Sequence, residues 1–139
     1  MENTIKFTFR PGKKGIQKIM GELENAVMDC LWERKKATVK EVFETLSSRK
    51  KIAYTTIITV MNRLADKNIL KREKSGKIYI FEPIYNRDEY KKIVSDTVVR
   101  GLLEIDGKKA MAAFVDQVSE DPEELKLLEK LIEEKKSER

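Results

Sequence analysis

The side chains best placed to do chemistry in this sequence are basic, and they fall in two groups on either side of residues 53–66. Arg49, Lys50 and Lys51 precede that segment; Arg72, Lys74 and Lys77 follow it. Such groups grip phosphates rather than break bonds, because each lysine or arginine displaces counterions from a polyanion without needing a shifted pKa. The groups that catalysis would need are missing or scattered. The sequence has no histidine, and so lacks the commonest general base and the commonest metal ligand. Its single cysteine, Cys30, can form no internal disulfide and sits among apolar residues at helical spacing, where a thiol is a small buried hydrophobe. It contains no glycine-rich phosphate loop, nucleophile elbow or clustered metal-ligand spacing. The expectation is a protein that is not an enzyme and uses no cofactor or metal.

The modest net charge of +5 conceals a lopsided distribution. Residues 1–33 are neutral, with 5 basic and 5 acidic side chains. Residues 34–77 carry 13 basic and 4 acidic side chains, a net +9, and residues 78–139 carry 11 and 15, a net −4. A basic centre followed by an acidic section implies a polyanion-binding region joined to something else.

Three short helices and a hairpin must position the basic groups. From Glu22 the apolar residues Leu23, Ala26, Val27, Cys30 and Leu31 recur at helical spacing. Thr38 and Glu41 form a capping box that opens a second helix through Val42, Phe43 and Leu46, ending near Ser47 and Ser48. The third helix, residues 53–66, has its core stripe on Ala53, Ile57, Val60, Met61 and Leu64. At about 100° per residue, Thr55, Thr59 and Asn62 fall on its opposite face, with Thr56 and Arg63 on the flanks. Hydroxyls can meet base edges or phosphates, asparagine can read adenine, and arginine can read guanine or hold phosphate. After Asn68 the period becomes that of strands, residues 69–73 and 77–82, around a turn at Lys74-Ser75-Gly76. Helix, short helix, helix and basic hairpin in that order is a helix-turn-helix with a wing, whose third helix enters the major groove.

The sequence also resembles a known family, the penicillinase and methicillin-resistance repressors with their copper-responsive relatives. Glu22-Leu23-Glu24, Val27-Met28 and Leu31-Trp32 resemble that family's first helix, and Thr38-Val39-Lys40-Glu41-Val42 its second. Ala53-Tyr54-Thr55-Thr56-Ile57 through Val60, Arg63-Leu64 and Lys67 resembles its recognition helix, and a wing ending in Tyr79, Phe81 and Pro83 is similar too. The resemblance implies a repressor that binds a palindromic operator as a homodimer, and it adds Tyr54 to the DNA-binding set. That set is Lys50, Lys51, Tyr54, Thr55, Thr56, Thr59, Asn62, Arg63, Arg72, Lys74 and Lys77. Antibiotic-responsive members are switched off by proteolysis after the wing, but here Val98-Val99-Arg100-Gly101-Leu102-Leu103 lacks the Asn-Phe step expected there. The paired C-terminal cysteines of the copper branch are also missing.

Beyond Pro83, Asn86 and Glu89 form another capping box, and a helix runs to about Glu104 before Asp106-Gly107 breaks it. Two further helices follow, residues 108–118 and one opened by Asp121 and Pro122 that reaches about Lys136. Their apolar residues exceed what one short helical section can cover, so Val94, Val98, Leu102, Phe114, Leu125, Leu128, Leu131 and Ile132 are expected to pair two copies. The alternative is that this section packs back on its own winged helix.

The expected architecture is mainly α with a small β-hairpin wing: an extension over residues 1–20, a winged helix-turn-helix over 21–83 and a helical dimerisation region over 84–139. The alternating run from Thr4 to Phe9 and the basic turn Arg10-Pro11-Gly12-Lys13-Lys14-Gly15 read as a short edge strand or a mobile arm. No apolar run is long enough for a membrane span and the N-terminus has no secretory signal, so the expected location is the cytoplasm. The expected partners are double-stranded DNA, a second copy and a signal-sensing partner, with no membrane. A second reading is a winged-helix protein-interaction module without specific DNA binding.

Overall fold

Each predicted helix start can be tested atom by atom in the computed structural model, which describes residues 5–18 and 20–139. Helix α1 spans Glu22–Arg34, α2 Val39–Ser47 and α3 Tyr54–Asp66; strands β1 (Leu70–Ser75) and β2 (Ile78–Pro83) follow, then α4 (Arg87–Val118) and α5 (Pro122–Ser137). The capping boxes form as the spacing requires. Thr38 Oγ1 accepts from the Glu41 N–H at 3.2 Å while Glu41 Oε1 accepts from the Thr38 N–H at 2.9 Å. That backbone hydrogen bond, with Arg34 beside it, holds the Glu41 carboxyl below its usual range. Asn86 and Glu89 repeat the exchange at 2.8 and 2.9 Å, and Asp121 Oδ1 accepts from the Glu123 N–H at 3.0 Å.

The chain forms two compact units, one up to Lys91 and one from Lys92. In the first, α1, α2 and α3 pack on one another and on the hairpin through fully buried Val27, Met28, Leu31, Val42, Ile57, Met61, Leu64, Leu70 and Phe81. Val27, Leu31, Val42, Ile57, Met61 and Leu64 are stripe residues of the three helices, whereas Leu23, Ala26 and Phe43 are half-buried and Ala53, which precedes the first turn of α3 as its N-cap, is exposed. Cys30 lies buried with the core, its thiol pushed up by that burial. The strands pair antiparallel from Leu70 opposite Pro83 to Ser75 opposite Ile78. The turn is therefore Gly76-Lys77, one residue later than the sequence suggests. Gly76 sits at φ 64, and a two-residue hairpin loop needs a left-handed residue at its first central position. Ala37 extends the sheet by exchanging backbone hydrogen bonds with Phe81 at 3.0 and 2.8 Å.

This unit runs past Pro83 and takes in the first turn of α4. Trp32 Nε1 donates to the Tyr85 carbonyl at 3.0 Å, its ring lies 5.7 Å from that of Tyr90, and the Arg87 guanidinium rests 5.1 Å over it. Toward the N-terminus, the alternating run forms no strand among the described residues, and Thr4 lies outside them. Ile5 is buried, and a 3-10 turn at Gly15–Lys18 leads to buried Met20.

In the second unit the expected break in the fourth helix is a kink within α4. Asp106 adopts extended backbone (φ −161, ψ 97), and its Oδ1 accepts from the Lys109 N–H at 3.1 Å, which caps the segment that follows. No residue of α5 is buried.

Candidate nucleic-acid interface

The core stripe of α3 fixes what its other face shows. With Ile57, Val60, Met61 and Leu64 buried, Tyr54, Thr55, Thr56, Thr59 and Arg63 are exposed along one side. Tyr54 is braced rather than loose: its ring meets Phe43 of α2 edge-on at 5.2 Å. Thr59 Oγ1 donates to the Thr55 carbonyl at 3.0 Å, which turns its methyl and a lone pair outward. No side chain caps the N-terminus of α3, so the positive end of its dipole is open to an anion. Lys50 and Lys51 lie exposed just before it, and the Lys50 ammonium makes a long, exposed ion pair with Glu22 at 3.8 Å.

Asn62 has a different environment from its neighbours on the outer face. Its Oδ1 accepts from Arg72 Nη1 at 2.6 Å and its Nδ2 donates to the Ile58 carbonyl at 3.1 Å. The pair ties the wing to α3, so Asn62 and Arg72 position each other across the two elements. Lys74 and Lys77 stand exposed at the wing tip. Ile78 and Tyr79 beside them are also about half exposed, an apolar tip that the basic pattern did not single out.

The opposite wall of this face comes from α1. A groove of about 580 Å³ is lined by Thr55, Thr56, Thr59, Val60, Arg63 and Lys67 of α3 and its cap, by residues 21–24, and by Arg10. Glu24, which the helical pattern does not mark as special, is buried here. Its Oε2 accepts from Lys67 Nζ at 2.8 Å and its Oε1 from the Gly21 N–H at 3.1 Å. Burial alone would raise the Glu24 carboxyl, but those two hydrogen bonds and the charges of Lys67 and Arg10 outweigh it and hold the carboxyl below its usual range. Lys67 is 43 residues away from Glu24, so no local signal could reveal the pair.

The residues expected to pair two copies divide. Val94 is buried within the chain and offers no surface; Val98, Leu125 and Leu128 are half-buried, and Leu102, Phe114, Leu131 and Ile132 are exposed. Leu102, Phe114, Leu128 and Ile132 share an apolar groove of about 340 Å³ with Val99, Leu103, Ala110, Met111 and Val115. Val99 and Leu103 lie outside the expected set, although Val99 precedes Leu102 by three residues and Leu103 by four, a helical spacing.

With this geometry the chain can be set beside known proteins. The family described as penicillinase repressor matches residues 20–134. The chain belongs to the penicillinase repressor family. Among its relatives, the "Transcriptional regulator BlaI" of Mycobacterium tuberculosis is 37% identical over 107 residues, 73% of this chain and 75% of that protein. The "Penicillinase repressor" of Staphylococcus aureus is 30% identical over 88 residues, 63% of this chain and 70% of that one. A solved structure, "Solution structure of the DNA binding domain of the repressor BlaI", is 27% identical with a TM-score of 0.46, covering 54% of this chain and 90% of that one. The family's matched region takes in α1 to α3, the wing, α4 and most of α5, but not Arg10. Among the described residues this family member has no cluster of three or more His, Cys, Asp or Glu able to hold a metal. Nor, among those residues, is any helix long and apolar enough to cross a membrane.

Proposed function

We propose that this chain is a sequence-specific DNA-binding repressor that holds a palindromic operator as a homodimer. The observation that carries the reading is the face of α3. Four exposed side chains able to meet bases or phosphates, Thr55, Thr56, Thr59 and Arg63, lie on a helix whose opposite stripe is locked in the core, in a member of a repressor family. The wing fastened through Arg72 and Asn62, with Lys74 and Lys77 at its tip, supplies phosphate contacts to one side. Lys50 and Lys51 supply them on the other.

Dimerisation rests on the second unit, whose apolar side chains line a groove instead of a closed core. A second copy presenting the same face covers it with a two-fold axis, which places two copies of α3 on inverted half-sites about one DNA turn, or a multiple, apart. Operator release through a signal-sensing partner and a cytoplasmic location complete the reading.

The test is binding of the full-length chain to duplexes it selects from a random pool. Affinity falls steeply with salt, as expected of a protein that releases several counterions. Arg63→Ala and Thr59→Ala each cost about 1–3 kcal/mol on the selected site, whereas Lys74→Ala weakens all sequences alike. Selection of no consensus, or binding indifferent to all three substitutions, overturns the reading.

A further inference from the structure

The groove beside α3 has a wall that the winged helix does not supply. Ile5 is buried, and the Lys6 N–H donates to the Lys67 carbonyl at 3.1 Å, which pins the N-terminal segment at the C-terminal end of α3. From there the chain reaches a turn closed by the Lys13 N–H and the Arg10 carbonyl at 3.1 Å. Arg10 lines the same groove as Thr55, Thr59 and Arg63. Its charge acts on Glu24, but both Glu24 oxygens are already taken, by Lys67 and by the Gly21 N–H. Arg10 Nη1 is buried and has no hydrogen-bond partner among the described residues. A buried donor left unmet is costly to hold, and an anionic oxygen entering the groove relieves it.

We propose that residues 5–14 are an arm of the DNA-binding surface, in which Arg10 holds a backbone phosphate beside α3 and the exposed Lys14 extends that grip along the strand. The proposal rests on the reading of α3 as the groove-entering helix. It also gives the segment N-terminal to the family's matched region a role of its own. Phosphate is the target because the segment is pinned at Lys67, past the end of α3, and a guanidinium fork matches phosphate oxygens two at a time.

The experiment uses the full-length chain, a duplex it has selected from a random pool and a mixed-sequence duplex, each titrated across salt. Arg10→Ala weakens both probes by about tenfold, and the slope of log affinity against log salt becomes shallower by about 0.9, the value for one phosphate that the variant leaves unneutralised. Arg10→Lys recovers most of the slope. Lys14→Glu, at an exposed position, weakens both probes with an unchanged thermal unfolding temperature. The arm is overturned if both Arg10→Ala and Lys14→Glu bind as the parent does, or if only Arg10→Ala weakens binding and does so together with a lowered unfolding temperature. Weakening by Arg63→Ala with both arm variants intact removes the arm alone; a parent chain that binds neither duplex removes the DNA-binding reading and the arm with it.

Discussion

The two compact units of this chain use the same kinds of apolar residue to opposite ends. Up to Lys91, leucines, methionines, valines and aromatics close over one another, and Met28, Leu31, Ile57, Met61, Leu64, Phe81 and Tyr90 are all fully buried. From Lys92 on, only Val94 is buried, while Phe114 is 56% and Ile105 82% exposed. The first unit closes its own core, which suits the proposed reading surface, where Thr55, Thr59 and Arg63 are held in fixed register before any duplex arrives. The second has the composition of a core without its closure, the kind of face that the proposed second copy covers. In the proposed dimer, specificity and avidity reside in different units.

The strongest way to break that contrast is to charge the open face. Phe114 lines the apolar groove without being needed to close a core. Phe114→Asp is expected to turn the proposed dimer into a monomer and to lower operator affinity by about 10²–10⁴, the gain that linking two heads provides. Sedimentation velocity and anisotropy titration read the two effects. A variant that sediments as a dimer would show that this face is not the interface.

A smaller effect sharpens the same contrast from the other side. Leu64 is fully buried against the first unit's core, and Leu64→Ala should cost roughly 2–5 kcal/mol in urea unfolding of that unit. Leu127, 54% exposed and outside the groove, has no such neighbours. Leu127→Ala should stay within about 0.5 kcal/mol. Equal costs at the two positions would mean that the second unit is closed after all.

What the sequence made legible was what neighbouring residues decide between themselves. The Thr38 and Glu41 cap and the Asn86 and Glu89 cap each depend on side chains three residues apart, the break at Asp106 on a side chain and a backbone N–H three residues on, and each is found where the sequence puts it. The outer face of α3 follows from its buried stripe in the same way. The hairpin turn slips by one because the positive φ of Gly76 fixes the loop, a backbone requirement that outweighs the strand pattern beside it. The site residues that escaped notice depend on distant partners. Glu24 is buried because Lys67 meets it from 43 residues away, and Arg10 joins the groove because the N-terminal segment is pinned at Lys67; Asn62 and Arg72 were both expected at the site, but not their hydrogen bond to each other across α3 and the wing. Nothing within a helical turn announces the pairing of Glu24 with Lys67, of Asn62 with Arg72, or of the N-terminal segment with Lys67.

The smallest expected effect lies near the border between the units, at Tyr90, the last aromatic the first unit buries. Its ring packs 5.7 Å from Trp32, but its hydroxyl is buried with no hydrogen-bond partner among the described residues. Burial, and then the negative charge of Glu24, push the phenol from its ordinary 10 to about 12. A pKa raised in the folded state means that the fold favours the protonated phenol. Its contribution to stability is constant below about pH 10 and is lost as the pH climbs from 10 toward 12. Tyr90→Phe keeps the ring and removes the unpaired hydroxyl. At neutral pH the variant should therefore match the parent or exceed it by up to about 1 kcal/mol. Above pH 10 its advantage should widen, because the parent alone must keep a phenol from ionising. Taking the difference between the two proteins cancels the lysines and other tyrosines that titrate in the same range. Urea unfolding at neutral pH and again near pH 11 reads both parts. A variant clearly less stable than the parent at neutral pH would mean that the hydroxyl is satisfied in solution, by an ordered water or by an acceptor that reaches it.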